Sequence, residues 1–227
     1  MIVSDITNRV GRLLSDPTHV RWPVDELVDY IDDAQRQVVL LMPDANSRTE
    51  QFQLAAGSRQ QMPAGAIRLL RITRNLGANG TTPGRVVYPT LRGALDAEIP
   101  TWHTATGASV EHYIYDPDSN RNVFYVYPSA TGYVEIVYST SPAALTRPAP
   151  GAEFNLGQSL ELPDHYINPI IDWVLYRCWA KDAEYAGNTQ RAQMHESSFY
   201  SQLGLKGQVA EMANPTRRVR NAEIELR

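Results

Sequence analysis

The sequence predicts an α+β fold: helices from both ends of the chain form one bundle, and an antiparallel β domain is inserted between them. Two observations predict it. Apolar residues recur at helical spacing in two segments before residue 45 and in two more after residue 162. From about residue 50 the spacing shifts to two, in short runs separated by Gly, Pro, Asn and Asp.

The first helix is expected to start at Ser4, whose hydroxyl can cap backbone N–H groups, with Asp5 placed against the positive end of the dipole. Ile6, Val10, Leu13 and Leu14 share one face, and Ser15-Asp16-Pro17 ends the element. A second helix begins near Trp22-Pro23, because proline is preorganised for the first helical position. Val24, Leu27, Val28, Ile31, Ala34, Val38 and Leu41 form its apolar stripe. Asp25, Asp29, Asp32, Asp33 and Arg36 occupy the opposite face, and Met42-Pro43-Asp44 stops the helix.

Strands are expected at 52–54, 67–73 and 86–88, with a turn-rich stretch over 57–65 and a glycine-bearing tip over 77–80. One helical turn fits 91–97. Val110, His112 and Ile114 alternate with Glu111, Tyr113 and Tyr115, the pattern of a half-buried strand. With return strands at 123–127 and 133–138, this reads as an antiparallel meander. Residues 142–157 are proline-rich and irregular, which predicts a long surface loop or arm.

Helicity resumes after Leu162-Pro163, with Asp164 in a capping position and Pro169 early enough to be tolerated. Ile167, Ile170, Ile171, Val174, Leu175 and Cys178 make the buried stripe, and Gly187 is expected to close the helix. A last helix over about 188–203 presents Ala192, Phe199 and Leu203 and stops at Gly204. Beyond Lys206 no clear apolar stripe remains, which predicts a tail that stays extended until it finds a partner. The expected organisation is therefore helices at 1–48, an inserted β domain with its arm at 49–162, helices at 163–205 and a tail at 206–227.

The 227 residues are 43% hydrophobic and 20% charged, enough to build a buried core. A formal charge of −4 weighs against a general nucleic-acid binder, which needs concentrated positive charge to displace counterions. The single cysteine, Cys178, excludes an intrachain disulfide and fits a reducing compartment. Acidic and polar residues interrupt the N-terminus where a signal peptide needs an apolar run, and no stretch approaches the roughly 18 apolar residues of a membrane span. The expectation is a soluble protein made inside the cell, with no membrane partner.

No constellation of catalytic residues emerges. The histidines His19, His103, His112, His165 and His195 are scattered, without the short spacings of a metal site, so neither metal nor cofactor is expected. His103, His112 and Asp116 are the one set the β domain could bring together. Cys178 sits mid-helix on an apolar stripe, unlike a nucleophile at a positive helix end. G-x-S-x-G, G-x-x-x-x-G-K-[ST] and G-x-G-x-x-G are all absent. Carboxylate pairs such as Asp96 and Glu98 read as surface charge, and a hydrolase built on them is the weakest reading. Tyr113, Tyr115, Tyr125, Tyr127, Tyr133 and Tyr138 crowd the β domain, and cross-strand packing explains them most simply. The alternative function they suggest is a carbohydrate-binding module. Arg217, Arg218 and Arg220 make the tail locally basic, suited to docking on an acidic neighbour.

Five segments occur in a recognisable order: WPVDELVDYIDDAQRQVVLLMPDA (22–45), IPTWH (99–103), VEHYIYDPDSNRNVFYVYP (110–128), LPDHYINPIIDWVLYRCWAKDAEYAGN (162–188) and SSFYSQLGLK (197–206). Together they resemble the head-to-tail adaptor (connector) proteins of tailed bacteriophages, related to the tail tubular protein A type of short-tailed phages. The resemblance implies a non-enzymatic virion component of the neck and tail, made in the host cytoplasm. It implies a homo-oligomeric ring below the portal protein, usually of twelve copies, that extends the DNA channel and docks the tail nozzle. DNA would pass without sequence-specific binding. On this reading residues 206–227, with Arg217, Arg218 and Arg220, reach the portal, and the 142–157 arm embraces a neighbouring subunit. Asp25, Asp29, Asp32 and Asp33 would form a lumen-facing acidic stripe that repels DNA phosphates.

Overall fold

The computed structural model describes residues 1–149, 152–182, 184 and 186–213. The chain divides into two compact units, one of Met1–Met42 with the chain from Pro142, the other of Pro43–Ser141. Helical ends and an inserted β region are thus observed, and the fold is α+β.

In the helical unit, α1 spans Val3–Leu13 and α2 spans Val24–Leu41. Ser4 lies inside α1 instead of capping it; the Asp5 carboxylate accepts the Ile2 N–H at 3.3 Å. Ile6 and Val10 are buried as their spacing predicts, but Leu13 is exposed. The connection to α2 is organised by Asp16, whose carboxylate accepts N–H bonds from Val20 (3.0 Å), Arg21 (2.9 Å) and Trp22 (2.9 Å). Pro23 precedes the first turn of α2. Leu27, Val28, Ile31, Ala34 and Val38 are buried on α2, whereas Leu41 is exposed.

A short 3-10 turn, Asp164–Tyr166, leads into α4, Ile167–Lys181, and α5 spans Ala186–Ala213. Helix α4 contacts α1, α2 and α5, and buries Pro169, Ile170, Ile171, Trp173, Val174, Leu175 and Cys178. A helix apolar on more than one side belongs at the centre of a bundle. Gly187 does not close it; α4 stops at Lys181 and Gly187 lies in the first turn of α5. Nor does α5 stop at Gly204. It runs on to Ala213, so residues 206–213 are helical where the sequence suggested an extended tail. Gly204 and Gly207 both lie inside α5, and an interior glycine costs a helix only about 1 kcal/mol, while Lys206 ties this stretch to residues before α4. Its ammonium donates to the His165 carbonyl and lies 4.7 Å from the Tyr166 ring centre.

The β unit contains β1 (Ser47–Gln53), β2 (Arg59–Gln61), β3 (Ala66–Asn75), β4 (Tyr88–Pro89), α3 (Arg92–Glu98), β5 (His112–Ile114), β6 (Val123–Tyr127) and β7 (Tyr133–Thr140). They form two sheets, ordered β1-β7-β3 and β2-β6-β5-β4. The expected meander does not form. β5 and β6 pair antiparallel, but β7 leaves their sheet to become the central strand between β1 and β3. β4 adds to β5 in parallel. Residues of both sheets share one core: Leu69, Ile72, Val134 and Ile136 from the first, Tyr113, Phe124 and Val126 from the second. From the first sheet, Val134 and Ile136 pack in the apolar core shared with Phe124 and Val126 of β6.

β3 shows why period-two reading is weak there. Three register shifts bring Leu69, Ile72 and Asn75 inward at every third residue. Two buried amides hold the irregular segments. Gln60 bonds Ala55 N–H, Ala55 C=O and Gly57 C=O, and Asn75 bonds Arg85 C=O and both backbone groups of Val110.

Candidate functional site

The acidic face of α2 is not a uniform solvated stripe. Asp32 is 5% exposed and accepts the Leu145 N–H with both carboxylate oxygens, at 3.1 and 3.3 Å. Burial pushes its carboxyl up, against the pull of the Leu145 N–H, Arg36 and Arg147. Asp29 is ion-paired with Arg147, whose guanidinium also donates to the Asp25 carbonyl at 3.2 Å. Asp33 pairs with Arg36 at 3.5 Å and with Arg177 of α4 at 3.9 Å. The Asp25 carboxylate has no ion pair among the described residues. Helical spacing placed Asp32 opposite the apolar stripe, but the proline-rich segment covers that position.

That segment belongs to the helical unit, not to the inserted β unit where the sequence reading placed it. Its first leg lies on α2 through Leu145 and Arg147. Its return leg lies on the N-terminus, with Val3 and Ser4 donating N–H bonds to the Gln158 and Leu156 carbonyls. Gln158 ties the legs together, accepting the Thr146 N–H at 2.7 Å and donating to the Thr146 carbonyl at 3.0 Å. Both legs are thus fastened to their own bundle.

A second polar cluster joins α4 to α5. Asp172 on α4 takes His195 Nδ1 at 2.8 Å, Ser198 Oγ at 2.7 Å and Gln202 Nε2 at 2.5 Å. Burial opposes ionisation of this carboxyl, but the hydrogen bonds from His195, Ser198 and Gln202 win and hold it below the usual range. The residues are those of a serine-hydrolase triad, but the order is wrong: the serine donates to the aspartate instead of to the histidine, so its hydroxyl is not activated. The cluster is an interhelical clasp. Positions 195, 198 and 202 interleave with the buried positions 192, 199 and 203, which was the available signal that they face a neighbour.

The clustered tyrosines of the β unit divide between the two sheets. Tyr113 and Tyr138 are buried in the shared core. Tyr125 and Tyr127 pack with Leu95, Trp102 and Ile114 beneath α3, and Trp102 meets Tyr125 edge-on at 6.0 Å. Cross-strand and cover packing accounts for these four, and Tyr125 and Tyr127, like Tyr115 and Tyr133, stay half-buried. Asp96 accepts the Trp102 indole N–H at 2.7 Å and serves packing. Cys178 is fully buried, and burial pushes its thiol up to about 12. His103 stacks on Trp102 and bonds Ser58 at 3.0 Å, and His112 stacks on Tyr127; with Asp116 they do not form a metal-binding group among the described residues. No described helix is long and apolar enough to cross a membrane. Arg217, Arg218 and Arg220 lie outside the described residues.

The observed geometry is that of fastenings between elements: an arm tied to α2, a clasp between α4 and α5, and a β unit with Tyr113, Phe124 and Tyr138 in its core. No curated protein is a significant match to the chain. The family model described as SU10 adaptor protein matches residues 1–220. With nearly the whole chain matched, the protein belongs to the SU10 adaptor protein family, a family of bacteriophage structural adaptors.

Proposed function

We propose that the protein is the head-to-tail adaptor of a bacteriophage virion, forming a homo-oligomeric ring of about twelve copies below the portal that extends the DNA channel and docks the tail nozzle. The observation that carries this reading is the family match over residues 1–220. A relationship to the tail tubular protein A type is part of the same proposal and rests on the five sequence segments quoted above. Repeated heterologous contacts close such a ring, and no enzymatic step is required. The portal-docking element is the chain beyond α5, with Arg217, Arg218 and Arg220 as its cationic contacts. Of the four aspartates given to the lumen side, Asp25, Asp29 and Asp33 reach solvent and Asp32 is buried.

Negative-stain imaging of the purified protein with and without its portal tests the proposal. Collars on the portal are expected, and their absence at high protein concentration would overturn it. Because α5 continues to Ala213, the informative truncation removes residues 214–227 and leaves the bundle intact. The truncated protein should fold and lose portal attachment; unchanged attachment refutes the role given to the arginines.

A further inference from the structure

One margin of the β unit is open. β1 pairs with β7 on one side and, among the described residues, has no strand on the other. Ser47, Arg48, Thr49, Glu50, Gln51 and Gln53 are exposed, and only Phe52 is half-buried. The register with β7 runs from Ser47 to Gln53 without a shift, and the Leu54 N–H continues it by donating to the Gly132 carbonyl at 2.9 Å. Bonding alternates along an antiparallel strand. The backbone of Arg48, Glu50 and Phe52 therefore faces β7, and that of Ser47, Thr49, Gln51 and Gln53 faces outward. The opposite margin of this sheet is guarded: β3 is bent by its register shifts, and residues 84–87 bond its second half. β1 has no bulge, proline or lysine, devices that keep an edge from pairing with another chain.

A matching strand is encoded in the same chain. Beyond α5 the sequence continues through residues 214–227, and its last stretch is Ala222-Glu223-Ile224-Glu225-Leu226-Arg227. Apolar and charged residues alternate strictly there, the pattern of a strand with one apolar face. β1, at 7 residues, is long enough to pair with all of it. Residues 214–221 supply a tether of up to about 26 Å. Phe52 marks where the apolar face belongs. It packs at the margin of the shared core, its ring 5.6 Å from that of Phe124. We propose that residues 222–227 of one copy add as a strand to the free edge of β1 in a second copy. Ile224 and Leu226 then lie on the Phe52 side, and Glu223 and Glu225 on the side of Thr49 and Gln51. Backbone bonds give the attachment and the alternating side chains give the register. This rests on the ring reading above: a donor and an acceptor at different places on one chain make the repeated heterologous contact. Arg217, Arg218 and Arg220 lie in the tether and stay available to the portal.

The test is sedimentation equilibrium of the full-length protein and two full-length variants. Gln51→Pro removes an outward N–H and no bond to β7, a place where an edge strand tolerates proline. Thr49→Pro, whose N–H also faces outward, replaces it if its thermal unfolding differs from that of the wild type. Ile224→Asp breaks the apolar face of the donor strand. The wild type should self-associate as concentration rises, and each variant alone should associate at least about tenfold more weakly. A mixture of the two should pair one-to-one and go no further, because one keeps only the donor and the other only the acceptor. A wild type that stays monomeric, a variant that associates like the wild type, or a mixture that fails to pair overturns the proposal. A monomer whose Thr49 and Gln51 amides are protected from exchange places the strand on its own β1 and also overturns it. Collars on the portal formed by a monomeric free protein would leave the adaptor reading standing and sink the strand exchange alone.

Discussion

Removing the Asp172 carboxylate should loosen the helical unit by about 3 kcal/mol. In Asp172→Ala, the donors on His195, Ser198 and Gln202 lose one shared acceptor. Its side chain is only 16% exposed, so water can re-solvate part of the site but not all of it. A hydrogen bond to a charged acceptor contributes about 1.5–3 kcal/mol net, and deleting one partner of a buried polar pair costs about 3–5 kcal/mol. Three bonds at one carboxylate share a single desolvation penalty, so the lower end applies. Trp173 and Trp179 lie on α4, which makes tryptophan fluorescence during urea unfolding a reporter of this unit. The pH dependence separates the clasp from simple packing. The folded carboxyl sits below its unfolded value, so its contribution is present above that ordinary value near 3.8 and fades as pH falls through the folded one. The gap between wild type and Asp172→Ala should therefore close in acid. A loss below about 0.5 kcal/mol at neutral pH, or a gap unchanged in acid, would refute the reasoning.

Other outcomes follow from single positions. Phe199 is fully buried with its ring 4.9 Å from that of Trp173, so Phe199→Ala should cost about 3–5 kcal/mol in the same unfolding assay. Gly132 has φ +118°, and a Cβ there would stand 2.9 Å from the Gly77 carbonyl oxygen; Gly132→Ala should destabilise the β unit by about 1–3 kcal/mol, measured by thermal unfolding followed by circular dichroism. Gly204 is helical with open space around it, so Gly204→Ala should stabilise α5 by up to about 1 kcal/mol, seen as slower amide exchange along the helix. Cys178 should resist a thiol reagent at pH 8 in the folded protein and react fully once denatured, because its thiol is both buried and held protonated.

The helices were legible because their signal is local. Leu27, Val28, Ile31, Ala34 and Val38 repeat at the helical period, and α2 buries them wherever its partners lie. Positions 170, 171, 174, 175 and 178 did the same for α4. The span of β6, 123–127, was legible from alternation and bounding turns. The pairing of β7 was not, since alternation marks a strand and its two faces but not its neighbour. The candidate site was less legible still. Asp32 looked like one solvated carboxylate among four, and only the backbone of Leu145, distant in sequence, makes it buried.

Legible in the sequence were helical ends around a β region, most of the apolar stripes of α2 and α4, and an adaptor resemblance that the family match supports at the level of a phage adaptor. These depend on residues within a few positions of one another. Tertiary structure alone decided that β7 crosses to a second sheet, that the proline-rich segment is fastened to the helical unit, and that Asp172 collects three donors from α5. Each of these is settled by apolar area and hydrogen bonds shared between distant segments, and a distant partner leaves no period in the local sequence.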